Sequence, residues 1–405
     1  QHVLTLYAGA ITVPLIVASA LKLPPEHAAY LVSADLFACG LVTLLQCLGV
    51  GPFGIRLPIM MGVTFVGVMP AIAIAGQPGL GLQGVDGAGI AAGLIVIPLV
   101  SFVGRLRSVL TPTVTGTAML LIGLSLMGVA IDWAAGGQDA VDYGSPANLL
   151  LAGITVATIL LVTRFAASFL QNCAILIGMA VGYALAIALG IVDFAAVGTA
   201  PALQLVTPFH FGLPIFDLAA IASMVIVLLI TLVESSGMLM MLGDAVGRPV
   251  STRDLSRGLR ADGMGAVIGG LFNSFPYTSY AQNIALASMT GVRSRLVCVG
   301  AAAILLGLAL FPKLSALVAA MPPSVLGGAA LVLFGMVAAS GIRSLATTGL
   351  ASSRENVMIV AVSLGVGLIP TMSDRFFAEA PVVLAPFLHS GVLLGIVTAI
   401  ALNLL

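Results

Sequence analysis

Apolar residues run through this chain in stretches of roughly 15–25, each ended by a cluster of Gly, Pro or charge, the spacing that bilayer thickness imposes on spanning helices. Reading those runs predicts about fourteen membrane segments. They fall at 2–21, 28–50, 57–76, 85–104, 109–133, 148–163, 171–191, 217–243, 259–274, 276–290, 295–312, 322–341, 356–370 and 383–404. Segments three, nine and ten are short or broken. The first interruption is the stretch Gly54 to Val68, with Pro58 and the run Met60-Met61-Gly62-Val63-Thr64-Phe65. The second is Asn273 to Asn283, with Pro276 and the run Tyr277-Thr278-Ser279-Tyr280. Each then leads into an apolar stretch too short to span. Freed backbone is intolerable against lipid, but it can line a buried polar cavity and hold a solute there. Paired breaks in the two halves of a chain point to the substrate site of a secondary transporter.

Composition agrees with the pattern. The chain has 405 residues, 60% of them hydrophobic and only 7% charged, far more apolar surface than a soluble core needs. Its net charge of zero gives no reason to expect nucleic acid. Cys39, Cys47, Cys173 and Cys298 sit in apolar runs without paired spacing, as small buried hydrophobes do. No initiator Met opens the chain, so a short tail is expected before Gln1, and no cleavable signal is expected. The basic residues fix an orientation. With the N-terminus cytoplasmic, that side holds Arg56, Arg105, Arg107, Arg164, Arg248, Arg253, Arg257, Arg260, Arg293, Arg295, Arg343 and Arg354, and the other side holds Lys22, Lys313 and Arg375. Such a bias is the positive-inside rule, and it places both termini in the cytoplasm with an even number of spans. Asp132, Asp139 and Asp142 fall in an outer loop without basic residues, and the Arg248–Arg260 loop divides the two halves. No separate soluble domain is expected.

Few side chains could do chemistry. Glu234 lies well inside an apolar span, where an ionisable group costs a few kcal/mol and faces a cavity or a partner. That outweighs a purely structural helix–helix bond and suits a group that takes and gives a proton. Gln282 and Asn283 follow the second break. A Gln amide sets a donor beside an acceptor and so matches a cis-amide edge such as a purine or pyrimidine presents. The other reading, an amide capping freed backbone, weighs about as much; Asn283 suits the cap and Gln282 the reader. Thr64 and Phe65 hold the matching place in the first break, where a helix N-terminus would favour partial negative charge. Phe65 and Tyr280 could stack on a flat ring, although either taken singly reads more simply as packing. Asp262 opens the ninth segment and reads as an N-cap or an ion pair. His2 reads as structural, and Asp35 as a tie between helices. His27, His210 and His389 are scattered without ligand spacing, so no metal and no cofactor is expected. No hydrolase, nucleotide or dinucleotide fingerprint stands in a usable context. Nothing catalytic accompanies Glu234 either, since Ile230 and Met238 lie one turn away on each side; an enzyme is not expected.

At this point the motifs carry a resemblance. Phe275-Pro276-Tyr277-Thr278-Ser279-Tyr280-Ala281-Gln282-Asn283, running on to Met289-Thr290-Gly291-Val292-Arg293-Ser294-Arg295, closely resembles the signature of the nucleobase–ascorbate transporter family, the nucleobase:cation symporters. Gln1-His2-Val3-Leu4 with Tyr7-Ala8-Gly9-Ala10, Met61-Gly62-Val63-Thr64-Phe65, Val233-Glu234-Ser235-Ser236-Gly237-Met238 and Gly258-Leu259-Arg260-Ala261-Asp262-Gly263 are similar to its first-, third-, eighth- and ninth-span motifs, in order. The nearest likeness is to bacterial uric acid and xanthine permeases.

The resemblance implies an all-α polytopic membrane protein built as two inverted seven-span repeats, with short strands and half-helices in segments three and ten. It implies a core domain (1–106 and 216–314) that moves against a gate domain (107–192 and 315–405), in a homodimer in the bacterial inner membrane. By position, Glu234 matches the carboxylate that bonds ring N–H groups, Gln282 the amide that fixes the purine edge, and Phe65 a third-span contact. Tyr280 and Ala281 match wall positions, while Asn283, Asp262 and His2 match positions that support activity. Two departures stand out. Ala285 replaces a usual Gly, which is expected only to tighten packing. Met238 stands one turn after Glu234, where xanthine carriers often have a carboxylate and uracil carriers a His. An apolar Met suits a urate monoanion. The expected function is proton-coupled purine symport, urate first and xanthine next. The alternatives are uracil or another nucleobase, a sulfate-permease-type anion transporter of the same plan, and a passive channel.

Overall fold

The computed structural model describes residues 1–102, 111–350, 353–373, 375–380, 388 and 390–405. Arg105, Arg107, His389, the start of the last expected segment and the 106/107 domain boundary lie outside the described residues.

Helix starts follow rules visible in the chain. Pro opens α2 (Pro25–Leu48), α5 (Pro112–Ala134) and α6 (Pro146–Phe165), where its fixed φ suits the first turn and its missing N–H costs nothing. Ser145, Asp217 and Ser353 accept hydrogen bonds from Asn148 N, Ala220 N and Asn356 N, capping α6, α8 (Leu218–Ala245) and α14 (Arg354–Met372). The remaining helices are α1 (His2–Ala20), α3 (Val68–Ala75), α4 (Gly81–Leu99), α7 (Ala174–Ala188), α9 (Thr252–Leu271), α10 (Ala281–Thr290), α11 (Leu296–Ala309), α12 (Pro312–Ala319), α13 (Pro323–Ala346) and α15 (Gly391–Leu404). Two five-residue helices, Ser168–Asn172 and Ala195–Thr199, lie in connections.

Among the described residues eight helices are long and apolar enough to cross a membrane, nine if α11 and α12, bent by 81°, count as one. All eight coincide with expected segments. Large apolar side chains such as Ile131, Leu150, Leu160 and Phe165 are exposed on them, a surface suited to lipid. The chain is a multi-pass, mostly helical membrane protein. The ninth segment differs from its expected range: α9 starts at Thr252 rather than 259, because Ser251 caps it through Asp254 N at 3.1 Å and its charged first turns continue the helix. Asp262 therefore lies mid-helix, is not an N-cap, and is in no ion pair among the described residues.

Both interrupted segments contain a strand. β1 (Met61–Val63) pairs antiparallel with β2 (Tyr277–Ser279), Met61 opposite Ser279 and Val63 opposite Tyr277. The pairing extends at both ends, with Thr64 N donating to Pro276 O at 2.9 Å and Tyr280 N to Met60 O at 3.0 Å. Thr43 in α2 accepts from Met61 N at 3.0 Å. Backbone that could not face lipid is thus satisfied inside the protein. Gly62 is required here, since a Cβ would meet the Tyr280 ring at 2.6 Å.

Asp35 in α2 anchors the second break. Its carboxylate accepts from Ser274 Oγ at 2.9 Å and Tyr277 OH at 2.7 Å, so it ties α2 to the break and to β2 rather than to a second helix as expected. Gln46 does the same for α9, donating to Gly258 O at 3.1 Å and to Asp262 Oδ1 at 3.3 Å while accepting from Ile55 N at 3.0 Å. The densest helix packing falls into two sets. One joins α4 with α9, α2 with α11, and α8 with α4; the other joins α5 with α13, α14 with α15, and α6 with α7.

Candidate functional site

Because the strands run antiparallel, they end at opposite ends of the pair: Val63 leads into the turn before α3, and Ser279 leads through Tyr280 into α10. A single 3-10 turn, Phe65–Gly67, precedes α3, and Thr64 caps it by accepting from Val66 N at 3.3 Å. Tyr280 stands at the N-cap of α10. Both helix N-termini, with their free N–H groups and positive dipole ends, open on one cavity of about 110 Å³.

α8 closes the polar side of that cavity. Ser235 fixes it there, because its hydroxyl pairs with Thr278 Oγ1 at 3.0 Å and accepts from Ser279 N at 3.4 Å. β2 is thereby pinned to α8 at the residue next to Glu234. Thr64, Phe65, Glu234, Met238, Tyr280, Ala281 and Gln282 all line this cavity. Among the described residues, no hydrogen-bond partner reaches the Glu234 carboxyl or the Gln282 amide. Both are partly exposed to the cavity. An unpaired acid beside an unpaired amide is an incomplete polar set that a ligand with ring N–H and C=O groups would complete. Phe65 meets Phe334 edge-on at 5.9 Å between centroids.

The three expected supporting residues lie outside the cavity lining. Asn283 Nδ2 pairs with His2 Nδ1 at 2.9 Å and donates to His2 O at 3.2 Å, joining α10 to the start of α1. The Asn283 amide thus ties two helices rather than capping the break in its own segment. Asp262 joins α9 to α2 through Gln46. Ala285 lies on an exposed face of α10, so its extra methyl has room and tightens no packing, contrary to expectation.

The opposite wall was not foreseen. Met119 and Ile122 come from α5, and Leu333, Met336, Val337 and Ser340 from α13. Their spacing is that of one helical face, but an apolar stripe in an apolar span has no contrast to reveal it. A larger cavity of about 300 Å³ lies elsewhere, beside the first turns of α2, with His27, Tyr30 and His210 in its lining. Tyr30 stacks on His210 at 3.6 Å. In the loop before α8, burial and then the neighbouring His27 hold the His210 imidazole below its usual range. The larger cavity contains neither Glu234 and Gln282 nor the N-termini of α3 and α10, so the smaller one is the better candidate.

Known proteins resemble the chain along its length. The family model Xan_ur_permease, described as a permease family, matches residues 1–376. The uric acid transporter UacT of Escherichia coli strain K12 is 49% identical over 404 residues, covering 100% of this chain and 84% of the relative. The xanthine permease of Bacillus subtilis strain 168 is 43% identical, covering 100% and 92%. Among solved structures, the transmembrane domain of the cyanobacterial bicarbonate transporter BicA aligns with a TM-score of 0.65 at 20% identity, over 90% of this chain and 93% of that one. The anion transporter structure SLC26A9 aligns with a TM-score of 0.65 at 14% identity, over 100% and 64%. At such identities the last two speak for the fold alone.

Proposed function

The chain belongs to the permease family of the Xan_ur_permease model, and from that premise we propose that it is a nucleobase carrier that moves a purine, urate before xanthine, together with a proton. The observation that carries the reading is the unpaired Glu234–Gln282 couple between two half-helix N-termini. The names of the relatives support the substrate class.

In this reading the purine ring enters edge-first. Gln282 reads an adjacent N–H and C=O pair, and Glu234 accepts from ring N–H groups. The N-termini of α3 and α10 favour the negative charge of a urate monoanion. Phe65 and Tyr280 wall the ring, and Met238 leaves the pocket without a second carboxylate. Glu234 takes up a proton on the outer side and releases it on the inner side with the substrate. A urate monoanion carried with one proton moves no net charge, so the pH gradient drives uptake. Were a second proton carried, 100 mV would add about 2.3 kcal/mol, roughly fifty-fold accumulation.

The two sets of closely packed helices divide along the proposed core and gate. The full arrangement is fourteen spans in two inverted repeats, with both termini cytoplasmic, in the inner membrane of a bacterium, as a homodimer. His2, Asn283 and Asp262 keep α1, α2, α9 and α10 in register with the site during the movement.

Uptake of labelled urate and xanthine in cells expressing the chain, with and without a protonophore, tests the proposal. Saturable urate uptake that collapses with the protonophore is expected. Uptake of inorganic sulfate with no purine uptake would overturn it.

A further inference from the structure

Three connections at one end of the molecule bring four arginines together. Arg56 lies between α2 and β1, Arg248 follows α8, and Arg293 and Arg295 lie between α10 and α11. They line an open cavity of about 650 Å³ whose other lining residues include no carboxylate. The one ion pair among the described residues, Lys22 with Asp139, is elsewhere. Arg295 Nη1 closes the end of α2 by donating to Cys47 O at 3.2 Å and Leu48 O at 3.4 Å. Arg248 Nη1 reaches Arg56 O at 3.5 Å. Arg293 has no hydrogen bond among the described residues, and its guanidinium lies 3.5 Å from where a Cβ on Gly247 would stand.

This grouping costs free energy twice. Like charges within a Debye length of about 10 Å repel. Arg56 also holds φ at +63°, a region that non-glycine residues avoid, fixed by Arg56 N donating to Gln46 O at 3.0 Å. Solvation of a basic face needs neither convergence nor strain. Planar guanidinium forks fit phosphate oxygens in pairs. Exposed Leu48, Leu296 and Val297 beside them offer apolar surface for acyl chains.

We infer that this cavity binds a phosphate group, either the headgroup of an anionic phospholipid or a free phosphate. The three connections continue directly from the pieces that carry Phe65, Glu234 and Gln282. An occupant therefore ties together the ends of the elements that form the candidate site, and binding stabilises the folded protein by mass action.

The melting temperature of the purified full chain in uncharged detergent tests this. It is titrated with phosphatidylglycerol, with phosphatidylcholine, and with inorganic phosphate at constant ionic strength. A rise with phosphatidylglycerol but not phosphatidylcholine is expected, and an equal rise with inorganic phosphate would identify the free anion as sufficient. The double substitution Arg248→Gln and Arg293→Gln should weaken the response about ten-fold or more. Arg343→Gln, which removes an exposed charge of α13 outside the cavity, should leave it at wild type. Should the double variant fail to fold, Arg293→Gln alone should weaken the response by about three-fold or more. No rise with either anionic probe, or equal losses in the cavity variants and Arg343→Gln, would overturn the inference. The titration needs no transport, so a failure of purine uptake leaves it standing.

Discussion

The two walls of the candidate cavity are built on opposite principles. One wall, from β1, β2, α8 and α10, is polar and held by hydrogen bonds: strand pairing, Ser235 with Thr278, and Asp35 with Ser274 and Tyr277. The other, from α5 and α13, meets it with Met119, Ile122, Leu333, Met336 and Val337, Ser340 being its one polar side chain. Hydrogen bonds fix distances and angles, while apolar contacts keep most of their energy when surfaces slide. The contrast teaches where rigidity and movement belong. The wall that presents Glu234 and Gln282 is locked by hydrogen bonds, and under the proposed core-against-gate movement the wall facing it is the smooth one.

Substitutions can break that contrast in graded steps. Glu234→Gln should give the largest effect, loss of proton-coupled uptake by about 100-fold or to background, as expected for an essential proton carrier; normal uptake that collapses with a protonophore would remove Glu234 from the carrier role. Asp35→Ala removes the carboxylate that accepts from both Ser274 and Tyr277, leaving those hydroxyls only each other and the Asp35 carbonyl, and should cost about 2 kcal/mol, read as a lowered melting temperature. Gln282→Ala should weaken purine affinity about ten- to hundred-fold, seen as a raised KM, while folding stays near wild type. Met238→Glu should raise the ratio of xanthine to urate uptake by about ten-fold, since a second carboxylate repels the urate monoanion. Met336→Leu on the smooth wall should change uptake by less than about three-fold, because the volume is nearly conserved. An effect as large as that of Gln282→Ala would mean that the apolar wall is also a locked surface.

Much of this was legible in the chain because the bilayer enforces it. A span needs length and apolarity, and a break needs Pro and polar residues, so both interrupted segments stood out. Glu234 stood out because a carboxyl inside an apolar span is costly, which favours a role at a cavity over a structural helix–helix bond. The apolar wall was not legible, for Met119 and Met336 look like any other residue of their spans. Nor was the reach of Asp35, whose partners lie 239 and 242 residues away. Asp262 was misplaced at a helix start because charge was read as the edge of a span, whereas Ser251 begins the helix and the charged turns belong to it. The fold likeness to BicA and SLC26A9 teaches a related point. Proteins named for bicarbonate and other anions share the frame, so the frame alone does not name a substrate.

The strand pair also has a consequence for the order of birth. Val63 finds its partner only in Tyr277. While the ribosome works through the roughly 200 residues between them, at about 5–20 residues per second, the backbone of the first break waits some 10–40 s without its pairing. A three-residue strand has no stability of its own. Until the second half arrives, the nascent first half must shelter those amide groups near water, an insertion machine or a chaperone, and the carrier acquires its pocket only as its second half is made.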